Sequence, residues 1–529
     1  MNAFGKMISE CWSFMVVMIT AVYLLLHGLF VKQSNIWSIA GILSLESLLL
    51  WFTSKKSSFL TNLNYNYRPG ATAGVYLGLL VPLALLGETL ASKEFEIHTP
   101  EIWPSLASVG AVITRLNHGT GNMNKTFLLT IFLIACALLG LIFQWLTVLI
   151  VLSFLIAWIG IELVPKCLPK SFTLGEILVI LQLSSVGINR LILAVFMKIT
   201  LANEDMKLLW FVSTLIGAVL LATGVVYVTQ SYTSLGSFLA VYVCVAIIAL
   251  AFLHVCLEVN PVIWLISFLS ASCVQIFLLA TWLVLFFVTI LWTLHEALTV
   301  NTGTPSKAQS CSSVTHPNQA QVVDEVKNIN FETRKVFHLF IALVYIPGLM
   351  LDTHLLLLAS LAAFGLFIIV EAARALRVPV LGESLDIILR MFVDERDQGH
   401  VYLTHIYLLA GLSMPLWLSH HLFTSRKAAN EMYSGVLSLA VGDSVACVIG
   451  RRFGRVHFPE SKKTVEGTIA SMMAQLFLVM LADYFEIVHI SNPTAVFMGV
   501  SLSSLLEAFT DQIDNLILPL LLYPVLCVS

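Results

Sequence analysis

Continuous apolar runs of membrane-crossing length recur from one end of this chain to the other, and no other feature restricts its fold so tightly. A helix needs about 20 apolar residues to cross the hydrocarbon core of a bilayer. Runs of that order lie at 11–31, 36–52, 71–91, 127–143, 145–164, 174–198, 207–229, 236–256 and 262–294. Others follow at 336–350, 354–373, 402–422, 433–450, 467–485, 493–509 and 512–528. The 262–294 run is long enough for one tilted span or two short ones. Strands of a membrane barrel alternate with period two, whereas these runs are apolar over successive positions without that alternation, so they predict helices. The expected fold is an all-α, polytopic helical membrane protein with roughly 15 transmembrane helices. The first run has no small-residue cleavage site after it and is read as a retained span.

Charge supports the same reading. Only 11% of the 529 residues are charged and 58% are hydrophobic, against about 25% charged in soluble domains. A net charge of −3 supplies no basic stripe for a phosphate backbone, so no nucleic-acid partner is expected. The nine cysteines include no CxxC pair, which removes the usual zinc and redox motifs.

The one break in composition is the segment 299–330, rich in Ser, Thr, Asn, Gln and Pro. It buries almost nothing and reads as a polar linker between a multi-span region at 1–298 and another at 331–529. Residues 1–300 carry 13 basic and 12 acidic side chains, while the shorter remainder carries 15 and 19. A chain that concentrates its ionisable groups in one half keeps its chemistry there. The N-terminal half is left as scaffold, lipid-facing surface or homo-oligomer contact.

Within 440–475, Asp443 follows Gly442 inside an apolar segment. An ionised group at that depth costs several kcal/mol unless it meets a cavity, a partner or a metal, so it is a candidate for function. The plain alternative is a salt bridge to a neighbouring helix. The next loop holds Arg451, Arg452, Arg455, Lys462 and Lys463 against Glu460 and Glu466. Arginines beside a membrane are explained by the positive-inside tendency. Ser461-Lys462-Lys463-Thr464-Val465-Glu466-Gly467-Thr468 is more specific, since two lysines and two hydroxyls gather where the next helix begins. Helix N-termini favour anions, so this run reads as a triphosphate cradle. Gly467 would admit phosphate close to the backbone, and Glu466 would hold a metal or a lysine. P-loop spacing is absent.

Glu507, Asp511 and Asp514 are four and three residues apart, which places them on one face if the helix is continuous. Hard carboxylate oxygens in such a set suit Mg²⁺; a solvated turn is the alternative. Asp394-Glu395-Arg396-Asp397 precedes the 402–422 run and reads either as a solvated loop or as part of the same chemistry. Arg334, Lys335 and His338, and Glu371, Arg374 and Arg377, are read as interface anchors. Asn124-Lys125-Thr126 is a glycosylation sequon.

Taken together, Val441-Gly442-Asp443 and the Phe-Pro-x-Ser-Lys-Lys-Thr-x-Glu-Gly-Thr run at 458–468 resemble the CTP-dependent polyprenol kinases. Arg334-Lys335-x-Phe337-His338, the 394–397 acidic run, 404–409, Glu507-Ala508 and Asp514-Asn515 with Pro519 support the resemblance, which is specific over about 330–529. It implies a multi-pass enzyme of the endoplasmic reticulum membrane, with its nucleotide site facing the cytosol. Such an enzyme moves the γ-phosphate of CTP to the terminal hydroxyl of dolichol with the help of Mg²⁺ or another divalent cation. Carried onto this sequence, Arg455, Ser461, Lys462, Lys463, Thr464, Glu466, Gly467 and Thr468 would bind CTP. Asp443, Glu507 and Asp514 would hold metal, and the base is Asp443, Asp394 or Asp397. The competing readings are a secondary transporter, which also has many spans and intramembrane acids, and a cytidylyltransferase of the CDP-diacylglycerol synthase type.

Overall fold

The computed structural model describes residues 3–30, 39, 41–47, 49, 67–68, 71–91, 95–118, 144–196, 203–303, 340–389, 399–419, 422, 428–459, 461 and 463–529. The run at 127–143, most of the polar segment 299–330, the 334–338 motif, Asp394, Asp397, Glu460 and Lys462 lie outside them. Among the described residues there are helices and no strands, the single bridge being His457–Thr464. Nine described helices are long and apolar enough to cross a membrane, and six shorter apolar ones accompany them. The count of roughly 15 full spans is therefore not confirmed among the described residues. The 262–294 run divides into Pro261–Leu269 and Cys273–Gly303.

Helix starts follow local side-chain chemistry. Ser234, Asp352, Thr464 and Asn492 each accept a backbone N–H from the first turn of the helix they precede, which satisfies donors that have no intrahelical partner. Thr173 and Glu176 form a reciprocal pair, Thr173 N–H to Glu176 Oε2 at 3.1 Å and Glu176 N–H to Thr173 Oγ1 at 3.3 Å, as a capping box requires.

The centre of the bundle is the C-terminal helix Asp514–Cys527, buried from Asn515 to Leu526. It packs against Leu80–Ala91, Thr404–Leu418 and Pro493–Phe509. One hydrophobic core thus draws on both halves of the chain, from Leu80 and Leu178 to Leu412 and Leu518. A buried ion cluster joins them as well. Arg190 Nη2 lies 2.9 Å from both Glu88 Oε2 and Glu101 Oε2, and Tyr523 donates its hydroxyl to Glu88. By contrast, Leu235–Leu257 and Cys273–Gly303 turn large apolar side chains outward, with Val255 75% exposed and Phe277 62%. Faces of that kind are solvated by lipid rather than water.

The segment before Asp443 is irregular. A 3₁₀ turn at Asn430–Tyr433 leads into a π-helix at Val436–Asp443, and Ser444–Phe453 continues as α-helix. Wide π-turns inside a helix re-aim side chains and recur at functional sites. Here the irregular stretch ends on Asp443.

Candidate active site

Lys463 stands at the centre of the site. Its Nζ lies 3.0 Å from Glu507 Oε1 and 3.7 Å from Asp514 Oδ2, and Asp443 acts on it through its charge. Burial lowers the ammonium's pKa, but the surrounding carboxylates Glu507, Asp514 and Asp443 outweigh it and hold the lysine above its ordinary range. Glu507 is 5% exposed and the lysine 35%. Lys463 thus faces three carboxylates from three elements at the start of Val465–Tyr484.

The loop that delivers Lys463 is a tight hairpin. Phe458 N–H donates to Lys463 O at 3.1 Å, Ser461 N–H to Phe458 O at 3.1 Å and Val465 N–H to Val456 O at 2.9 Å. Ser461 Oγ donates to Ala508 O at 3.2 Å and accepts the Lys463 N–H at 3.1 Å. The Phe458 ring sits edge-on against Phe509, which stacks on Trp12. These contacts fasten the loop to the end of Pro493–Phe509, next to Glu507.

Several side chains expected to face phosphate also hold the loop together. Glu466 accepts the N–H groups of Arg455 and Val456 at 3.0 and 3.1 Å. Its carboxylate closes the hairpin and does not touch Lys463. Thr464 Oγ1 accepts the Gly467 N–H at 3.3 Å, and Thr468 Oγ1 donates to Thr464 O at 3.2 Å. Gly467 allows close approach to the neighbouring helix, since a Cβ there would lie 2.6 Å from Ala446 O. The N–H groups of Val465 and Gly467 are engaged within the protein. Two backbone donors at this helix start are therefore occupied, and Lys463 brings positive charge beside them. Arg455 lies exposed on the outer edge of the loop.

The acidic run near the C-terminus departs from the single-helix expectation. The helix Pro493–Phe509 stops, Thr510 and Ile513 are extended with a bend at Gln512 between them, and a new helix begins at Asp514. Glu507 and Asp514 converge on Lys463, whereas Asp511 turns away and accepts the Thr72 N–H and Oγ1–H at 2.7 Å each. Sequence spacing alone treats the three as equivalent because it assumes one unbroken helix.

A second polar cluster lies at Glu371–Arg374. Arg374 Nε donates to Glu371 Oε2 at 2.9 Å, its Nη1 lies 3.3 Å from Asp386, and its guanidinium carbon sits 3.6 Å above the Tyr402 ring. His400 N–H donates to Ser171 Oγ at 3.1 Å, and Thr173 Oγ1 donates to Gln512 Oε1 at 2.7 Å. The 399–402 segment, which directly follows the 394–397 acidic run, is thereby tied to the same end of the bundle as Lys463. Sequence reasoning missed Thr72, Thr173 and Arg190; the only signal for them was a polar side chain at the edge of, or inside, an apolar run.

Among the described residues no three His, Cys, Asp or Glu side chains already surround a common metal position. The donor set still fits a hard cation, because Glu507 and Asp514 converge on one positive charge beside Asp443. A many-span helical bundle with a lysine–carboxylate centre beside a basic hairpin defines a multi-pass helical membrane protein. Residues 131–475 match the family model described as dolichol kinase. Dolichol kinases of Bos taurus and Mus musculus are each 35% identical over 67% of this chain and 65% of their own length. Dolichol kinase EVAN of Arabidopsis thaliana is 37% identical over 37% of this chain and 34% of its own. The chain belongs to the dolichol kinase family. It spans about 65% of the length of the first relatives it matches, and no solved structure matches it.

Proposed function

We propose that this protein is a CTP-dependent dolichol kinase, transferring the γ-phosphoryl group of CTP to the terminal hydroxyl of dolichol and releasing CDP. The observation that carries this reading is Lys463 held between Glu507 and Asp514 beside Asp443, in a chain of the dolichol kinase family. Phosphoryl transfer asks a protein mainly for positioning and for positive charge on the phosphates. With two backbone donors at the helix start engaged, Lys463 and its neighbour Lys462 supply that charge, and Arg455 meets the outer part of the nucleotide. Ser461, Thr464, Glu466, Gly467 and Thr468 keep the hairpin in shape around it.

Asp443, Glu507 and Asp514 are the residues that would hold Mg²⁺ or another divalent cation, which neutralises charge on the transferring group when bound. Asp443, at the end of the π-helix, is the candidate that orients the dolichol hydroxyl and accepts its proton; Asp394 and Asp397 are the alternatives. The product would be dolichyl phosphate, the enzyme would sit in the endoplasmic reticulum membrane, and the CTP site would face the cytosol.

Membranes containing the protein are incubated with dolichol and CTP labelled at the γ-phosphate. Label in the lipid is the expected result. Label retained in released pyrophosphate would indicate a cytidylyltransferase, and unconsumed CTP would remove the enzyme reading.

A further inference from the structure

The site above needs the chain to break between Glu507 and Asp514. On a continuous helix, residues seven apart are separated by two turns, about 10.5 Å along the axis. Here both carboxylates reach the same nitrogen, at 3.0 and 3.7 Å. What sets the break is therefore part of how the site is made.

Residues 510–513 are held almost entirely by the N-terminal half. Asp511 takes the Thr72 N–H on Oδ2 and the Thr72 hydroxyl on Oδ1, each at 2.7 Å. Gln512 Nε2 lies 3.0 Å from Thr72 O, Thr72 Oγ1 and Asp511 Oδ1, and its Oε1 accepts from Thr173 Oγ1 at 2.7 Å. Thr510 Oγ1 accepts the Gln512 N–H at 3.1 Å and lies 2.9 Å from the Tyr76 hydroxyl. Ser9 donates to Phe509 O. Gly74 is left-handed at φ +62°, and a Cβ there would lie 2.6 Å from Gln512 Oε1, so the turn after Thr72 accepts glycine alone without rearrangement. Ser9, Thr72, Tyr76 and Thr173 thus converge on residues 509–512, and both carboxylate oxygens of Asp511 are engaged by Thr72.

We infer that Thr72 is a positioning residue for the Lys463–Glu507–Asp514 centre, acting through Asp511 to hold the 510–513 break. The inference rests on the kinase reading above and assigns the N-terminal half a part in the site. Thr72 touches neither substrate nor the reacting atoms. Its hydroxyl fixes where Asp514 begins its helix relative to Glu507, and displacements on the order of 1 Å at such a centre cost up to a hundredfold in rate.

The test compares Thr72→Val, which keeps the shape and the backbone N–H but removes the hydroxyl, with Thr72→Ser, which restores it. Full-length protein in membranes is assayed for turnover with γ-labelled CTP and for the Mg²⁺ concentration giving half-maximal rate. Resistance to protease is followed in parallel. Independently of activity, the rate at which an acetyl N-hydroxysuccinimide ester modifies Lys463 is read by mass spectrometry. Thr72→Val is expected to lower kcat about tenfold, raise the Mg²⁺ midpoint several-fold and acylate Lys463 several-fold faster, with protease resistance unchanged; Thr72→Ser recovers most of each. Unchanged turnover and acylation in Thr72→Val overturn the inference. Parallel loss of kcat and protease resistance, restored together by serine, assigns a structural role and also overturns it. A wild type that transfers no label while Lys463 acylation still responds to Thr72 removes the kinase reading and leaves the clamp standing.

Discussion

Replacing Lys463 by alanine removes one positive charge from among three carboxylates, and the consequences for folding and for nucleotide use separate cleanly. The ammonium lies 3.0 Å from Glu507 and 3.7 Å from Asp514, and Glu507 is only 5% exposed. Stranding a fully buried partner costs about 3–5 kcal/mol. The lysine's own 35% exposure admits solvent screening, which brings the expected loss to roughly 1–3 kcal/mol. This is larger than the negligible cost expected for a lysine exposed at a helix start. A charge-assisted bond to phosphate contributes about 1.5–3 kcal/mol, so apparent CTP affinity should fall about ten- to a hundredfold. The decisive variant is Lys463→Ala combined with Glu507→Gln, in which the uncompensated charge is removed. Its thermal unfolding midpoint in detergent should return most of the way to wild type, while transfer of γ-label stays low because neither lysine nor carboxylate is restored. A double variant as labile as Lys463→Ala, or a single variant with unaltered CTP saturation, would refute the assignment of Lys463 to both roles.

Asp443→Asn and Asp514→Asn keep side-chain volume but remove a negative hard ligand, and each should abolish most activity while the protein still accumulates in membranes. Asp483→Asn is the control: Asp483 Oδ1 accepts the Ile490 N–H at 3.0 Å, an acceptor that asparagine retains, so label transfer should be near normal. Because carboxylates hold the Lys463 pKa above its ordinary 10.5, its contribution is fully present below that value and is lost only as pH rises through the higher folded pKa. Rate measurements should accordingly show no alkaline limb from this lysine between pH 8 and 10; a limb present in wild type and absent in Lys463→Arg contradicts it. Cysteines introduced at the exposed His400 and Arg455 should label from the same side of sealed microsomes, since His400 N–H–Ser171 and Thr173–Gln512 tie the two loops to one end of the bundle. Labelling from opposite sides would remove the 394–400 region from the site.

The apolar runs by themselves fix an all-helical membrane fold, because a backbone in hydrocarbon must satisfy its hydrogen bonds within each segment. The charged run at 458–468 and Asp443 inside an apolar segment also stood out, since charged groups among apolar residues carry an evident energetic cost. Helix count was not, as length and hydropathy do not separate a span from a short buried helix such as Thr404–Leu418. Nor were the roles within the hairpin. Glu466, Thr464 and Gly467 look like ligand groups in sequence, and spacing gives no sign that they also meet backbone atoms a few to about twenty residues away. Periodicity put Glu507, Asp511 and Asp514 on one face, but the 510–513 break sends Asp511 to Thr72 and the other two to Lys463. That break is imposed by Thr72, Tyr76 and Thr173 from the other half of the chain. Composition had marked that half as scaffold, because a hydrogen bond between residues 439 apart leaves no trace in local pattern. The sequence thus determined the solvent, the secondary structure and the charged groups that such a solvent makes costly. Tertiary packing alone decided which of those groups meet, since that depends on distant segments closing around one nitrogen.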